Sequence, residues 1–276
     1  MRTRILSGVV IGVVLTAVLV LGGIFLWAVF LAVSVTAFFE LTAACGARKK
    51  GTIISATEAV GVLGILGLYV SLYLTHDLSC YIVAAVSVMA ALFLVYVLVF
   101  PRTGSDEVIT VLFCFLYAPC MLSFICLLRE LPYGAYLGWL PFMAWVSDTC
   151  AYFAGMAFGK HKLAPVLSPK KTIEGALGGI AGSIIAGVIF GVILVVRTDV
   201  KPVMIAVFAV ITALGSIISQ IGDLAASGIK RDNGIKDYGK VIPGHGGIMD
   251  RFDSVIMVSP VLYFLTYISL KVSGVI

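Results

Sequence analysis

The feature that most restricts this chain is a succession of apolar runs, each about 20 residues long, recurring from one end to the other. Such runs need lipid around them, and in lipid a backbone must satisfy its own hydrogen bonds, as helices and closed barrels do. The runs are continuous rather than alternating, which selects helices. A mean hydropathy of +1.13 agrees. With 61% hydrophobic and only 12% charged residues, an ordinary soluble domain is excluded. The expectation is an all-α polytopic integral membrane protein with about nine spans, roughly 5–21, 24–44, 55–75, 79–99, 108–128, 137–158, 173–196, 203–226 and 255–271. Met1 to Arg4 and the run behind them resemble a signal peptide. No small-residue cleavage site leading to a soluble domain follows, so the segment reads as a retained first helix.

Charge sets the orientation. With the amino terminus in the cytoplasm, the inner loops hold 15 of the 19 Lys and Arg residues, and Arg129, Arg197, Lys201 and Lys271 remain outside. This is the asymmetry of the positive-inside rule. Loops 159–172 and 227–254 then share the cytoplasmic side, and the carboxy terminus lies outside. The net charge of +5 follows from topology and gives no reason to expect nucleic-acid binding. The six cysteines show neither CxxC nor Cys/His ligand spacing, so they read as small buried hydrophobes rather than a disulfide framework or zinc site.

Several polar residues interrupt the oil. Ser55 and Glu58 fit a capping box at the start of the third span. Glu40 is placed to pair with a base in the stretch 47–50. Asp148 lies inside an apolar span, where an ionised carboxylate needs a polar cavity or a cation; Tyr152, Gly155 and Gly159 follow near its face. In "LSPKKTIEG", Ser168 is a candidate cap, with Pro169, Lys170, Lys171 and Thr172 in the first helical turn. Two lysines oppose the helix dipole there unless an external anion sits between them. Lipid headgroups alone would also attract them. Asp223, Ser227 and Lys230 are spaced to line one helical face.

The densest charge is in "SGIKRDNGIKDYGKVIPGHGGIMDRFD", residues 227–253. It holds five bases, the four carboxylates Asp232, Asp237, Asp250 and Asp253, six glycines and His245. A loop built only to touch anionic lipid would be basic without so many acids. Carboxylates hold Mg²⁺, bases neutralise phosphates, and glycines let backbone N–H groups approach them. The mixture fits phosphoryl or nucleotidyl transfer, and the absence of GxxxxGK[ST] excludes a P-loop enzyme.

The pattern from Ser227 through Lys230-Arg231, Lys236-Asp237, Gly239, Pro243, His245-Gly246-Gly247 and Asp250-Arg251-Phe252-Asp253 resembles the signature of the phosphatidate cytidylyltransferases, or CDP-diacylglycerol synthases. "SDTCAYFAGMAFGKHKL" and "SPKKTIEG" resemble the same family, with Cys150 standing where a glycine or other small residue is expected. The resemblance implies that CTP and phosphatidic acid give CDP-diacylglycerol and pyrophosphate, with a divalent metal such as Mg²⁺, in a homodimer of the cell (inner) membrane whose active site faces the cytoplasm. Carried over, it makes Asp223 and Asp250 metal ligands. Lys230, Arg231, Lys236 and Arg251 become phosphate neutralisers, assisted by Lys170 and Lys171. Asp148, Thr172, Ser227, Asp237, Gly246, Gly247 and Asp253 are further substrate-binding candidates. His245 reads as a hydrogen-bond donor or loop organiser. The expected division is an amino-terminal membrane region, 1–135, and a catalytic region, 136–276. A CTP-dependent polyprenol or phytol kinase and an ion-coupled transporter using Asp148 and Asp223 are the competing readings. The complete signature opposes the first, and the crowding of charge into loops opposes the second.

Overall fold

The computed structural model describes residues 2–48, 54–242, 244 and 246–276, with side chains from Gly8 onward. Lys49, Lys50, Pro243 and His245 are outside the described residues. The chain runs through α1 (Arg2–Leu21), α2 (Gly23–Ala44), α3 (Ala56–Thr75), α4 (Ser79–Val99), α5 (Ser105–Phe115), α6 (Met121–Glu130), α7 (Gly134–Leu137) and α8 (Met143–Phe158). A hairpin of β1 (Lys162–Ala164) and β2 (Ser168–Thr172) leads to α9 (Ile173–Arg197), α10 (Met204–Asp232) and α11 (Met249–Ser273).

The protein is an all-α polytopic membrane protein, as its apolar runs require. Among the described residues, seven helical stretches are long and apolar enough to cross a membrane. They are α2, α3, α4, the combined run Ser105–Glu130, α9, α10 and α11. The other two expected spans are also helical: α1 has 20 residues, as many as α3, and α8 has 16. Segment 137–158 is interrupted because Pro141 sits in a 3₁₀ turn at Leu140–Phe142, where a residue without an N–H can begin a helix but not continue one. In the Ser105–Glu130 run, Pro119 is absorbed by a π-helical turn at Leu116–Cys120.

The chain forms two compact units. One joins Met1–Cys126 with Asp232–Arg251, and the other joins Leu127–Arg231 with Phe252–Ile276. In the first, the capping box expected at α3 is present. Ser55 Oγ accepts from the Glu58 amide at 3.1 Å, and the Ser55 amide donates to Glu58 at 3.0 Å. Glu58 is fully buried and also receives Arg48 at 2.8 Å and the Thr42 hydroxyl at 2.7 Å. Only 11% of the α4 span is buried, so lipid must cover the rest of it.

In the second unit α8 lies along α9 on a seam of small residues. A Cβ at Gly175 would stand 2.8 Å from the Ala151 carbonyl oxygen, and one at Gly179 would stand 3.0 Å from that of Ser147. Without a hydrophobic drive between helices in lipid, such close backbone approach supplies the packing. Gly182 faces the Cys150 side chain, so the missing side chain on α9 makes room for the sulfur on α8. Gly179→Leu should therefore overpack the seam, at a cost of about 1–3 kcal/mol. A clear fall in thermal midpoint in detergent is expected. Gly67→Leu is the control, because a Cβ there meets nothing within 4 Å, and its midpoint should stay level or rise.

Candidate active site

The second unit brings α8, α9, α10 and the hairpin around a cleft of about 330 Å³. The hairpin is tied to the start of α9. The Ile173 amide donates to the His161 carbonyl at 2.9 Å. Glu174 accepts from the Lys160 amide at 3.0 Å and lies 2.6 Å from His161 Nδ1. Thr172, not Ser168, caps α9, its hydroxyl accepting from the Gly175 amide at 3.1 Å. Lys170, Lys171 and Thr172 consequently belong to a strand, which corrects the expectation that they form the first helical turn. The physical reason is the dipole: the shift takes both lysines out of a turn they would oppose and puts Glu174 there, where a carboxylate is favoured.

Asp148, Tyr152, Gly155, Lys170, Lys171, Thr172, Gln220 and Asp223 all line the cleft. Asp148 therefore has the polar surroundings that its place in an apolar helix demands. Lys171 Nζ and Asp223 Oδ2 form a direct ion pair, each side chain about a quarter exposed. Gln220 is held by its Nε2, which donates to the Ala176 carbonyl and the Ser216 hydroxyl, each at 3.2 Å. At Gly222 an added Cβ would stand 3.0 Å from the Asp253 carbonyl oxygen, so α10 and α11 meet beside Asp223. Asp253 there feels the charges of Asp223, Asp148 and Lys230. Three carboxylates and two lysines thus share one electrostatic neighbourhood. Helix α10 continues through Asp232, so Ser227, Lys230 and Arg231 are helical rather than part of a loop.

The glycine-rich segment 232–251 packs with the first unit. Its turn is closed by the Ile242 amide donating to the Gly246 carbonyl at 2.9 Å, with Gly244 and Gly246 at φ of 78° and 83°. Such angles favour glycine. Asp250 is buried, and its Oδ2 accepts from the amides of Tyr238 at 2.8 Å and Gly247 at 3.0 Å. Lys236 and Asp237 are exposed, while Arg251 is half-buried. Asp223 and Asp250 belong to different compact units, and the contacts described for each lie within its own. His245 is outside the described residues.

Glu40 is the residue whose partners sequence reasoning found least of. It accepts from the Ile248 amide at 3.1 Å and the Met249 amide at 2.8 Å. Arg48 goes to Glu58, and Lys49 and Lys50 are outside the described residues. A carboxylate within an apolar helix was the available signal; its partner, 208 residues away, was not legible. Gln220 gave no comparable signal, being an uncharged residue at the end of an amphipathic run.

The sequence model of the cytidylyltransferase family matches residues 2–269. The chain belongs to that family. A phosphatidate cytidylyltransferase from Bacillus subtilis (strain 168) is 33% identical over 278 aligned positions, covering 96% of this chain and 97% of the relative. Proteins of the same name from Staphylococcus saprophyticus and Staphylococcus aureus (strain COL) are each 42% identical over 123 residues, 45% of either chain. For a cytidylyltransferase, the paired Lys171 and Asp223 supply a cation at the cleft and a carboxylate beside it. Lys171→Met should lower turnover by on the order of 10²-fold, as loss of one electrostatic contact to transferring phosphate does. Lys171→Arg should retain more of the rate. Thermal melting of Lys171→Arg should stay near wild type, because a cation remains beside Asp223, whereas Lys171→Met leaves that carboxylate unanswered and should melt lower.

Proposed function

We propose that this membrane cytidylyltransferase joins CTP to phosphatidic acid, giving CDP-diacylglycerol and pyrophosphate. The observation that carries the reading is its near full-length similarity to the phosphatidate cytidylyltransferase of Bacillus subtilis. A phosphate oxygen of phosphatidic acid attacks the α-phosphorus of CTP. A new P–O–P link forms while the bond from the α-phosphorus to the oxygen bridging it to the β-phosphorus breaks, and pyrophosphate leaves. The nucleophile is already an anion, so no strong base is required. The protein has instead to suppress repulsion between anions and hold them in line. Lys170 and Lys171 on the hairpin and Lys230 and Arg231 at the end of α10 would serve that need, and the family signature assigns Lys236 and Arg251 to it as well.

A divalent cation suits the donor set. Asp148, Asp223 and Asp253 repel one another, and Lys171 and Lys230 offset only part of that charge. Mg²⁺ commonly takes one or two protein carboxylates and completes its shell with water and substrate phosphate. Among the described residues no group of three or more His, Cys, Asp or Glu side chains is placed to hold a metal ion, so an ion here would need water and substrate phosphate to complete its shell. On the family signature Asp223 and Asp250 would hold the ion, which when bound supplies charge neutralisation to phosphate oxygens. Thr172, Ser227, Asp237, Gly246, Gly247 and Asp253 are assigned to substrate binding on the same signature, and a homodimer is the expected assembly.

The proposed orientation puts the amino terminus, the hairpin and the glycine-rich segment in the cytoplasm of a bacterial cell. It requires α8 to cross. At 1.5 Å per residue its 16 residues reach only about 24 Å, and the 3₁₀ turn before it supplies the remainder of a roughly 30 Å core. In a cysteine-free background, single cysteines at 104 and 162 should label from the cytoplasmic side and one at 274 from the other. Labelling of 104 and 162 from opposite sides would mean that α8 does not cross.

The activity test uses purified protein, phosphatidic acid and labelled CTP. Label at the α-phosphate should enter lipid with release of pyrophosphate. Transfer of the γ-phosphate to lipid with release of CDP would instead make the protein a kinase. Asp223→Asn and Asp250→Asn should each lower the rate by at least roughly 10²-fold while the protein stays folded. Exposed Asp232→Asn is the control and should lose little. Near wild-type rates for both test variants at limiting Mg²⁺ would remove the metal assignment.

A further inference from the structure

We propose that Glu40, on the second helix of the chain, is a positioning residue for the transfer reaction, setting the backbone of the glycine-rich segment through Ile248 and Met249. The proposal rests on the reading of function given above, but its structural half can be tested without turnover. Glu40 is only 8% exposed, and its helix carries no other charged residue. A carboxylate buried at that depth is costly unless its charge is met by donors. Here each oxygen is met by a different main-chain amide, Ile248 on Oε1 and Met249 on Oε2. Those amides stand where α11 begins, among N–H groups with no partner inside the helix, and the dipole adds to the attraction.

The fit is tighter than a helix cap needs. A Cβ added at Gly239 or at Gly247 would collide with the Glu40 carboxylate, so the loop wraps it from two sides. Three consecutive amides are divided between two acids. Gly247 donates to Asp250, while Ile248 and Met249 donate to Glu40. The same Asp250 oxygen accepts from Tyr238. Any movement of the Glu40 carboxylate therefore shifts the backbone that aims Asp250 and Arg251, the acid and base that the signature assigns to the reaction. Glu40 itself acts on them only through that backbone.

The test compares Glu40→Gln with Glu58→Gln, a second buried carboxylate of the same unit whose partners are Arg48, Ser55 and Thr42. A Gln at 40 keeps the shape but turns an N–H donor toward one of the two amides. The expected result is a fall in kcat on the order of 10- to 100-fold with KM for phosphatidic acid changed by less than about threefold, as for a misplaced catalytic group. Glu58→Gln, assayed below its melting temperature, should keep its kcat. Hydrogen exchange should quicken across 238–250 in Glu40→Gln but not in Glu58→Gln. This separates the proposal from the functional reading, since exchange can be measured even if wild type makes no CDP-diacylglycerol. If Glu40→Gln does not fold, Gly239→Ala displaces the carboxylate from the other side and should lower kcat and quicken exchange over the same residues. Unchanged kcat and exchange in a folded Glu40→Gln, or in Gly239→Ala where the first variant does not fold, would overturn the proposal, as would a faster enzyme in either.

Discussion

Charge buried in a chain bathed by lipid has to be answered where it lies, and much of the polar structure of this protein follows from that requirement. Removing a carboxylate from water costs several kcal/mol unless donors or cations replace the lost hydration. Glu58 is answered by a guanidinium, a hydroxyl and a capping amide, Asp223 by a lysine, and Asp250 and Glu40 by pairs of main-chain amides. These are different solutions with different consequences. Glu58 is consumed in closing a helix start, whereas the lysine on Asp223 leaves both partners lining a cleft.

Glycine does two separate jobs in the fold. Along α8 and α9 it removes side chains so that two helices approach closely, which lets the hairpin between them present its lysines beside α10. In the segment 239–247 it clears space around two carboxylates and permits the positive φ of the turn. The first use is a packing device common in membranes, where dispersion between close backbones replaces the hydrophobic effect. The second makes main-chain amides the ligands of acids, so the local backbone geometry is set by side chains drawn from elsewhere in the chain.

The family also makes sense of the balance of charge. Transfer of a nucleotidyl group between two anions asks a protein for cations, donors and alignment more than for acid–base chemistry. The cleft gathers two lysines from the hairpin, the carboxylates of Asp148 and Asp223, and apolar side chains such as Met156. Tyr152 and Met156 are largely exposed.

The sequence by itself determined that the chain is helical and membrane-embedded. Twenty-residue apolar runs have no other stable solution in lipid, and the local capping box at Ser55 and Glu58 was readable because its partners are three residues apart. It also marked Asp148, Lys171 and Asp223 as residues needing partners, since charge in oil is conspicuous. Only the tertiary structure decided which partners they found. Lys171 and Asp223 are about fifty residues apart, and Glu40 meets amides more than two hundred residues on, distances at which no local pattern carries information. The start of α9 at Thr172 rather than Ser168 was likewise a tertiary outcome. A serine and a proline satisfy the local rule for a helix start, but the hairpin with β1 and the anchoring of Glu174 to residues 160 and 161 claim the intervening residues for a strand.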